Sequence, residues 1–130
     1  MVKPDAVVAF LRDGERFLVI KRSAEITGAG YWTPPSGRIE PGESEQAAVR
    51  REMREELALD VMPLRKIWEC DADHVDIRLH WWAADFAGEL RPEPAEVEAA
   101  RWVTAAEFLE LEPTFAGDRE FVTSVLPTLD

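Results

Sequence analysis

The sequence predicts an α/β (α+β) fold, a mixed β-sheet held between helices. Three observations point there. Asp13-Gly14 is a two-residue hairpin signal between apolar-rich runs, the residues after Ser44 repeat at helical spacing, and Val75–Phe86 alternates with strand period. Strands and helices alternate irregularly and begin with a hairpin, so the sheet is expected to be mixed.

Each element has its own signal. Asp5–Arg12 and Glu15–Arg22 read as the two hairpin strands. Thr27–Gly37 is rich in Gly and Pro and reads as loop, and its Gly28-Ala29-Gly30 is too short to cradle phosphates. Pro41-Gly42 makes a turn, after which Ser44 caps a helix running to about Leu59. Val61–Glu69 is a strand. In Val75–Phe86, Val75, Ile77, Leu79 and Trp81 alternate with Asp76, Arg78, His80 and Trp82. A Pro/Glu-rich loop spans Gly88 to Glu98, and Arg101–Val103 is a short strand. Thr104 and Glu107 form a capping box for a helix ending near Pro113. Asp118 is expected to cap a last helix that turns Phe121, Val122, Val125 and Leu126 to the core.

Composition narrows the function classes. At 130 residues, 46% apolar and 32% charged, the chain reads as one globular domain over 1–130. The longest apolar run, Ala6 to Leu11, is far short of a membrane span. Met1–Asp5 lacks a signal-peptide layout, so a cytoplasmic setting is expected. The single cysteine, Cys70, excludes an internal disulfide and a cysteine-built zinc site. A net charge of −11 argues against binding a nucleic-acid polymer. That charge is uneven: residues 1–65 carry 11 acids and 10 bases, residues 66–130 carry 15 acids and 5 bases. Most of it is solvated surface, and part can hold divalent cations that receive a polyanion.

The helix after Ser44 carries the chemistry. Val49, Met53 and Leu57 form an apolar stripe at i, i+4, i+8, and Glu52, Glu55 and Glu56 lie within about 100° of one another beside it. Glu45 points the same way. Carboxylates this close repel, and hard cations such as Mg²⁺ or Mn²⁺ convert the repulsion into coordination. On the three glutamates alone, an ordinary solvated acidic face is the better reading.

The spacing changes that balance. Gly37, five residues, Glu43, seven residues and then Arg51-Glu52-Met53-Arg54-Glu55-Glu56-Leu57-Ala58-Leu59 resembles the box of the Nudix hydrolases. The family pattern is Gly, x5, Glu, x7, Arg-Glu-apolar-x-Glu-Glu-x-Gly-apolar. One position departs: Ala58 stands where the family has glycine, which is expected to prolong or reshape the last helical turn. Trp32-Thr33-Pro34-Pro35-Ser36-Gly37 is similar to the family's Trp-x-x-Pro-Gly-Gly entry, with Ser36 for one glycine. The opening hairpin and Arg101-Trp102-Val103 extend the likeness over most of the chain.

The resemblance implies a Nudix-like α/β/α sandwich and hydrolysis of a phosphoanhydride in a nucleoside diphosphate linked to another moiety, a nucleoside triphosphate by default. Water attacks phosphorus, and Mg²⁺ or Mn²⁺ is required. Carried over by position, Glu52, Glu55 and Glu56 are expected metal ligands, the Gly37 carbonyl completes a shell, and Glu52 or Glu55 serves in catalysis. Arg51 is expected to orient Glu55 or Glu43. A further acid comes from Glu93, Glu96 or Glu98, with Glu96 preferred as a metal ligand. Arg22 and Ser36 are expected to contact substrate, and Lys21 and Arg22 are equally readable as solvated strand-end charges. The expected partner is a small nucleotide-type diphosphate, with no membrane and no nucleic-acid polymer; a homodimer is left open.

Other clusters read as structural. Asp71, Asp73, His74 and Asp76 can suggest a second metal site but fall where a turn is expected. His80 reads as structural or exposed. Trp81 and Trp82 must face opposite sides of a sheet, and packing rather than nucleobase stacking is expected of both. Two further functions stand against hydrolysis. A non-catalytic ligand-binding or regulatory module of the same fold would not need all three glutamates. The related isomerases of isoprenoid diphosphates use a cysteine in a longer chain, and Cys70 has no such setting.

Overall fold

The computed structural model describes residues 4–129, so the Met1–Lys3 part of the leader reading lies outside the described residues. Strands β1 (Asp5–Asp13) and β2 (Arg16–Arg22) form the expected hairpin, each boundary at the turn moved by one residue. Gly14 takes φ +63°, as a type I′ turn requires. The two strands pair with each other only through Arg12–Phe17 and Asp13–Arg16, and then splay apart.

Two short strands enter that fork. β3 (Trp32–Thr33) pairs with β2, and β4 (Ser36–Arg38) pairs with β1 at Ala6–Val8. Between them the Ala9 N–H donates to the Pro35 carbonyl at 2.9 Å. Thr27–Gly37 is therefore not plain loop. Pro34-Pro35 masked the strand signal because proline cannot donate to a ladder, yet here the fork needs only a carbonyl from it.

The remaining strands make the sheet mixed. β6 (Arg78–Ala87) runs parallel to β1, from Asp5–Arg78 to Leu11–Ala84, and antiparallel to β5 (Asp60–Asp71). β7 (Val97–Val103) is antiparallel to β2 and starts earlier than expected, because Ala99 and Ala100 pair with Lys21 and Ile20 despite poor strand propensity. β6 starts later than the alternation suggested. The Ala72 N–H donates to the Ile77 carbonyl and the Ile77 N–H to the Val75 carbonyl, which turns residues 72–77 into a loop.

The unbroken apolar run of β1 follows from burial on both faces. Val7, Ala9 and Leu11 meet Val49, Met53 and Leu57 of helix α1 (Glu45–Leu57). Val8 and Phe10 meet Phe108 of α2 (Ala105–Glu110) and Phe121, Val122 and Leu126 of the C-terminal segment. That segment is α3 (Ala116–Glu120), continued by π-type turns over Phe121–Val125 and a 3₁₀ turn over Leu126–Thr128. The result is an α/β/α sandwich, in which each fully buried Val, Leu or Phe contributes roughly 1.5–3 kcal/mol. Trp81 and Trp82 divide between the layers: Trp81 stacks on Phe121 at 4.2 Å, and Trp82 faces α1. Among the described residues no helix is long and apolar enough to cross a membrane.

Helix ends decide what the sheet presents. The Ser44 hydroxyl accepts from the Ala47 N–H at 3.1 Å, as expected of the cap. Helix α1 stops at Leu57 rather than Leu59, because Ala58 itself takes the left-handed conformation (φ 58°, ψ 26°). Alanine thus does the work of the family's glycine, at a strain of about 1 kcal/mol. The Thr104–Glu107 capping box forms at both bonds, 3.1 and 2.8 Å, and α2 ends at Glu110, short of Pro113. The expectation for Asp118 fails. The residue preceding α3 is Phe115, which makes no side-chain cap bond, and Asp118 is buried in the third position of the helix.

Candidate active site

Because Val49, Met53 and Leu57 lock α1 onto the sheet, the neighbouring stripe is fixed over the β4 side of the fork. Gly37 of β4 lies directly against this stripe, and a Cβ there would fall on the Glu52 carboxyl group. Glycine at 37 is thus a packing requirement, and it brings a backbone strand to the glutamates.

Arg51 organises the outer part of the stripe. Its guanidinium grips Glu43 with two bonds (2.8 and 2.9 Å) and donates to Glu52 at 2.9 Å, Glu55 at 3.2 Å and the Arg38 carbonyl at 2.9 Å. The sequence left Glu43 and Glu55 as alternative partners; the bidentate one is Glu43. That grip, with the Glu40 N–H bond to the same carboxylate, holds Glu43 down at about 2. Its partner Arg51 is held protonated.

The inner part lacks such a partner. Glu56 is only 5% exposed, and its Oε2 has no hydrogen-bond partner. Burial first, then a shared hydrogen bond with Glu96 and the charges of Glu52 and Glu96, push Glu56 up to about 10. Burial also raises Glu52, against the pull of Arg51. Glu96 arrives because the segment before it caps α1: the Arg91 and Glu93 N–H groups donate to the orphan carbonyls of Leu57 and Glu56 at 2.8 and 2.7 Å. Glu93 and Glu98 end elsewhere, Glu93 near the Ala95 N–H and Glu98 paired with Lys21.

Glu52, Glu55, Glu56 and Glu96 line a cleft of about 560 Å³, together with Gly37, Ser36, Arg38 and Arg22. Arg22 is steered by its Nε–H bond to the Thr27 carbonyl at 2.6 Å, whereas Lys21 is not among the lining residues. All residues expected in catalysis or metal binding therefore share this cleft, apart from Arg51 behind it. Other lining residues were missed. They include Ala6, Val8, Leu79 and Ile77, and Asp118, whose carboxylate accepts the Thr33 hydroxyl at 2.6 Å. Burial pushes Asp118 up to about 7. A lone acid before an apolar run reads as a cap, and no local signal marks Asp118 as part of a cleft.

The donor set suits a hard divalent cation. Glu56 has a buried oxygen with no partner, Glu52 and Glu55 present carboxylates beside it, and the Gly37 backbone lies against Glu52. They are neighbours rather than a closed shell: among the described residues no three acid, histidine or cysteine side chains are drawn close enough to hold an ion.

Glu45 and His80 belong to a different cluster. Glu45 shares the stripe of Glu52, but it accepts from Trp82 Nε1 at 2.9 Å and pairs with Lys66. His80 is buried between Asp5 and Lys66, at 2.8 Å from each, and is structural. Asp73 accepts backbone N–H groups, as a turn residue can.

Comparison with known proteins identifies the family and the fold. The model of the NUDIX domain matches residues 2–125. The chain is 32% identical over 99 residues to the NAD-capped RNA hydrolase NudC of Deinococcus radiodurans, covering 75% of this chain but 35% of that protein, so it spans about a third of that relative's length. It is 32% identical over 113 residues to the CTP pyrophosphohydrolase of Escherichia coli, covering 82% of this chain and 79% of that protein. A crystal structure of a MutT NUDIX hydrolase from Burkholderia pseudomallei superimposes with a TM-score of 0.82 at 26% identity, covering 94% and 97% of the two chains. With the family pattern, the fold and the family model in agreement, the chain belongs to the NUDIX domain family.

Proposed function

We propose that the chain is a pyrophosphohydrolase that needs Mg²⁺ or Mn²⁺ and cleaves a phosphoanhydride in a small nucleotide, a nucleoside triphosphate first. The observation that carries this reading is the carboxyl-rich lining of the cleft. Seven carboxyl groups line it (Glu25, Glu52, Glu55, Glu56, Asp73, Glu96, Asp118) against two arginines, Arg22 and Arg38. A triphosphate entering such a cleft needs counter-cations, and Glu52, Glu55 and Glu56, gathered on α1, are the groups to hold them once deprotonated. The volume suits a nucleotide-sized ligand, and the apolar side chains of Ala6, Val8, Ile77 and Leu79 share the lining with these polar groups. The likeness to a CTP pyrophosphohydrolase supports the substrate class.

Glu52, Glu55, Glu56, Glu96 and the Gly37 carbonyl would hold the cation. When bound, it neutralises charge on the phosphoryl group being transferred. The chain's own residues do the rest. Arg51 fixes the rotamers of Glu52 and Glu55, one of which takes the proton of the attacking water. Arg22 and Ser36, at the cleft wall, contact the phosphates and ribose side of the substrate. Water attacks phosphorus as that glutamate takes its proton, the P–O bond to the bridging oxygen breaks, and the departing fragment leaves with the bond's electron pair on that oxygen. The test is phosphate and pyrophosphate release over a panel of nucleoside triphosphates and dinucleotides, with Mg²⁺, with Mn²⁺ and after chelation. Turnover that requires the cation supports the reading. Turnover surviving chelation, or none on any substrate, overturns it.

A further inference from the structure

The loop 72–77, between β5 and β6, has no part in the proposed chemistry, yet Ala72, Asp73, His74, Val75 and Ile77 all line the cleft. Two sets of contacts hold it in place. The Asp73 carboxylate accepts the Ala116 N–H on Oδ2 at 2.9 Å and the Gly117 N–H on Oδ1 at 3.0 Å. The His74 ring stacks on Phe115 at 4.2 Å and 11°, and Phe115 stacks in turn on Tyr31 at 4.4 Å and 19°. The helix so capped, α3, has no side-chain cap of its own, because Phe115 cannot supply one. Asp73, more than forty residues away in sequence, supplies it. Gly117 is fitted to the contact: a Cβ there would lie 2.8 Å from Asp73 Oδ1. The next residue is Asp118, at the floor of the cleft.

We propose that Asp73 is a positioning residue whose carboxylate clasps the 72–77 loop to the start of α3, holds that loop in the lining of the cleft, and so sets nucleotide affinity without entering the chemistry. The proposal rests on the nucleotide-binding half of the function assigned above. Releasing the clasp frees two backbone N–H groups, loosens the loop and lets the Phe115–Asp118 segment shift. It leaves the Glu52–Glu56 stripe, on another element, untouched.

Three variants test it: Asp73→Ala, Asp73→Asn and Gly117→Ala. The last removes no charge, and the Gly117 backbone lies in a conformation alanine adopts without strain, so the variant keeps its fold while the added Cβ displaces the carboxylate. Amide hydrogen exchange at Ala116, Gly117 and residues 72–77 reads the clasp. The Kd of a non-hydrolysable nucleoside triphosphate with Mg²⁺, and the split between KM and kcat, read its consequence. Asp73→Ala and Gly117→Ala should each speed exchange and weaken binding about tenfold, raise KM alike and leave kcat within about twofold. Asp73→Asn, which keeps one acceptor oxygen, should fall between. Unchanged exchange in Asp73→Ala, unchanged Kd in both alanine variants, or a fall in kcat with KM constant would each overturn the proposal. If the parent chain binds the nucleotide without cleaving any, hydrolysis is the reading that fails, and Kd still decides the role of Asp73.

Discussion

Helix α1 carries an acidic cluster at each end, and the two have opposite fates. At its first turn, Glu45 accepts from Trp82 Nε1 and pairs with Lys66, which also bonds Glu69 and His80. There every acid has a nearby donor, and Lys66 and Arg78 hold Glu69 down at about 2. At the last turn, Glu56 is buried without a cation, one oxygen unpartnered, and pushed up to about 10. Both clusters are rich in carboxylates, so acidity alone does not identify a site. The closed cluster joins β1, β5, β6 and α1. The other lines a cleft, where the proposed cation would do for its carboxyl groups what Lys66 does at the first turn.

The largest expected effect comes from applying one substitution to both ends. Glu56→Gln keeps size and helix propensity and should lower turnover at saturating Mg²⁺ by about a hundredfold or more. Its metal-free melting temperature should rise, since a buried carboxyl held neutral at a cost is replaced by a neutral amide. A stable variant with parental turnover would remove Glu56 from the site.

The pH dependence of stability sharpens the same contrast. Glu56 and Asp118 sit above their unfolded values of 4.5 and 3.8, at about 10 and about 7. The folded chain therefore binds more protons than the unfolded chain above about pH 4, and metal-free stability should fall as pH rises from 5 to 8. Glu43 and Glu69, both lowered to about 2, act in the other window: their contribution is present above 4.5 and is lost on acidification toward 2. Thermal melts should thus peak near pH 4–5 without cation. Added Mg²⁺ should stabilise more at pH 8 than at pH 5, because protons compete for Glu56. A metal-free optimum at pH 8 would contradict the burial of Glu56.

Glu45→Gln is the counterpart at the closed end. It weakens the bonds to Lys66 and Trp82, so unfolding should become easier by about 1 kcal/mol, with kcat and KM unchanged. A loss of turnover there would join the two clusters functionally. The smallest effect belongs to Ala58→Gly. Relief of left-handed strain, about 1 kcal/mol, is partly offset by the freer unfolded chain, leaving a gain of about 0.5 kcal/mol in denaturant titrations. A loss of stability would mean that the Ala58 side chain packs favourably.

Local chemistry was legible because it depends on neighbours within a turn. The Asp13-Gly14 hairpin, the Ser44 cap, the Thr104–Glu107 box and the apolar stripe of α1 are all written in residues a few positions apart, and all form. The family spacing then pointed from Gly37 to Glu56, and the fold brings Gly37, Glu52, Glu55 and Glu56 to one cleft. Helical angle gives a side chain's direction but not its company. Glu45 and Glu52 differ by about 20° around α1, yet one meets Lys66 of β5 and the other Gly37 of β4. The same limit hid Asp73 and Asp118, which sequence treats as a turn residue and a cap. Each finds its partner some forty or eighty residues away, at Gly117 and Thr33. Sequence by itself determined the hairpin, the capped helices α1 and α2, the acidic stripe and the family, but not the short strands β3 and β4. Only the tertiary structure decided which acids are neutralised and which are left facing a cleft, because burial and long-range pairing set a carboxylate's free energy more strongly than its neighbours along the chain.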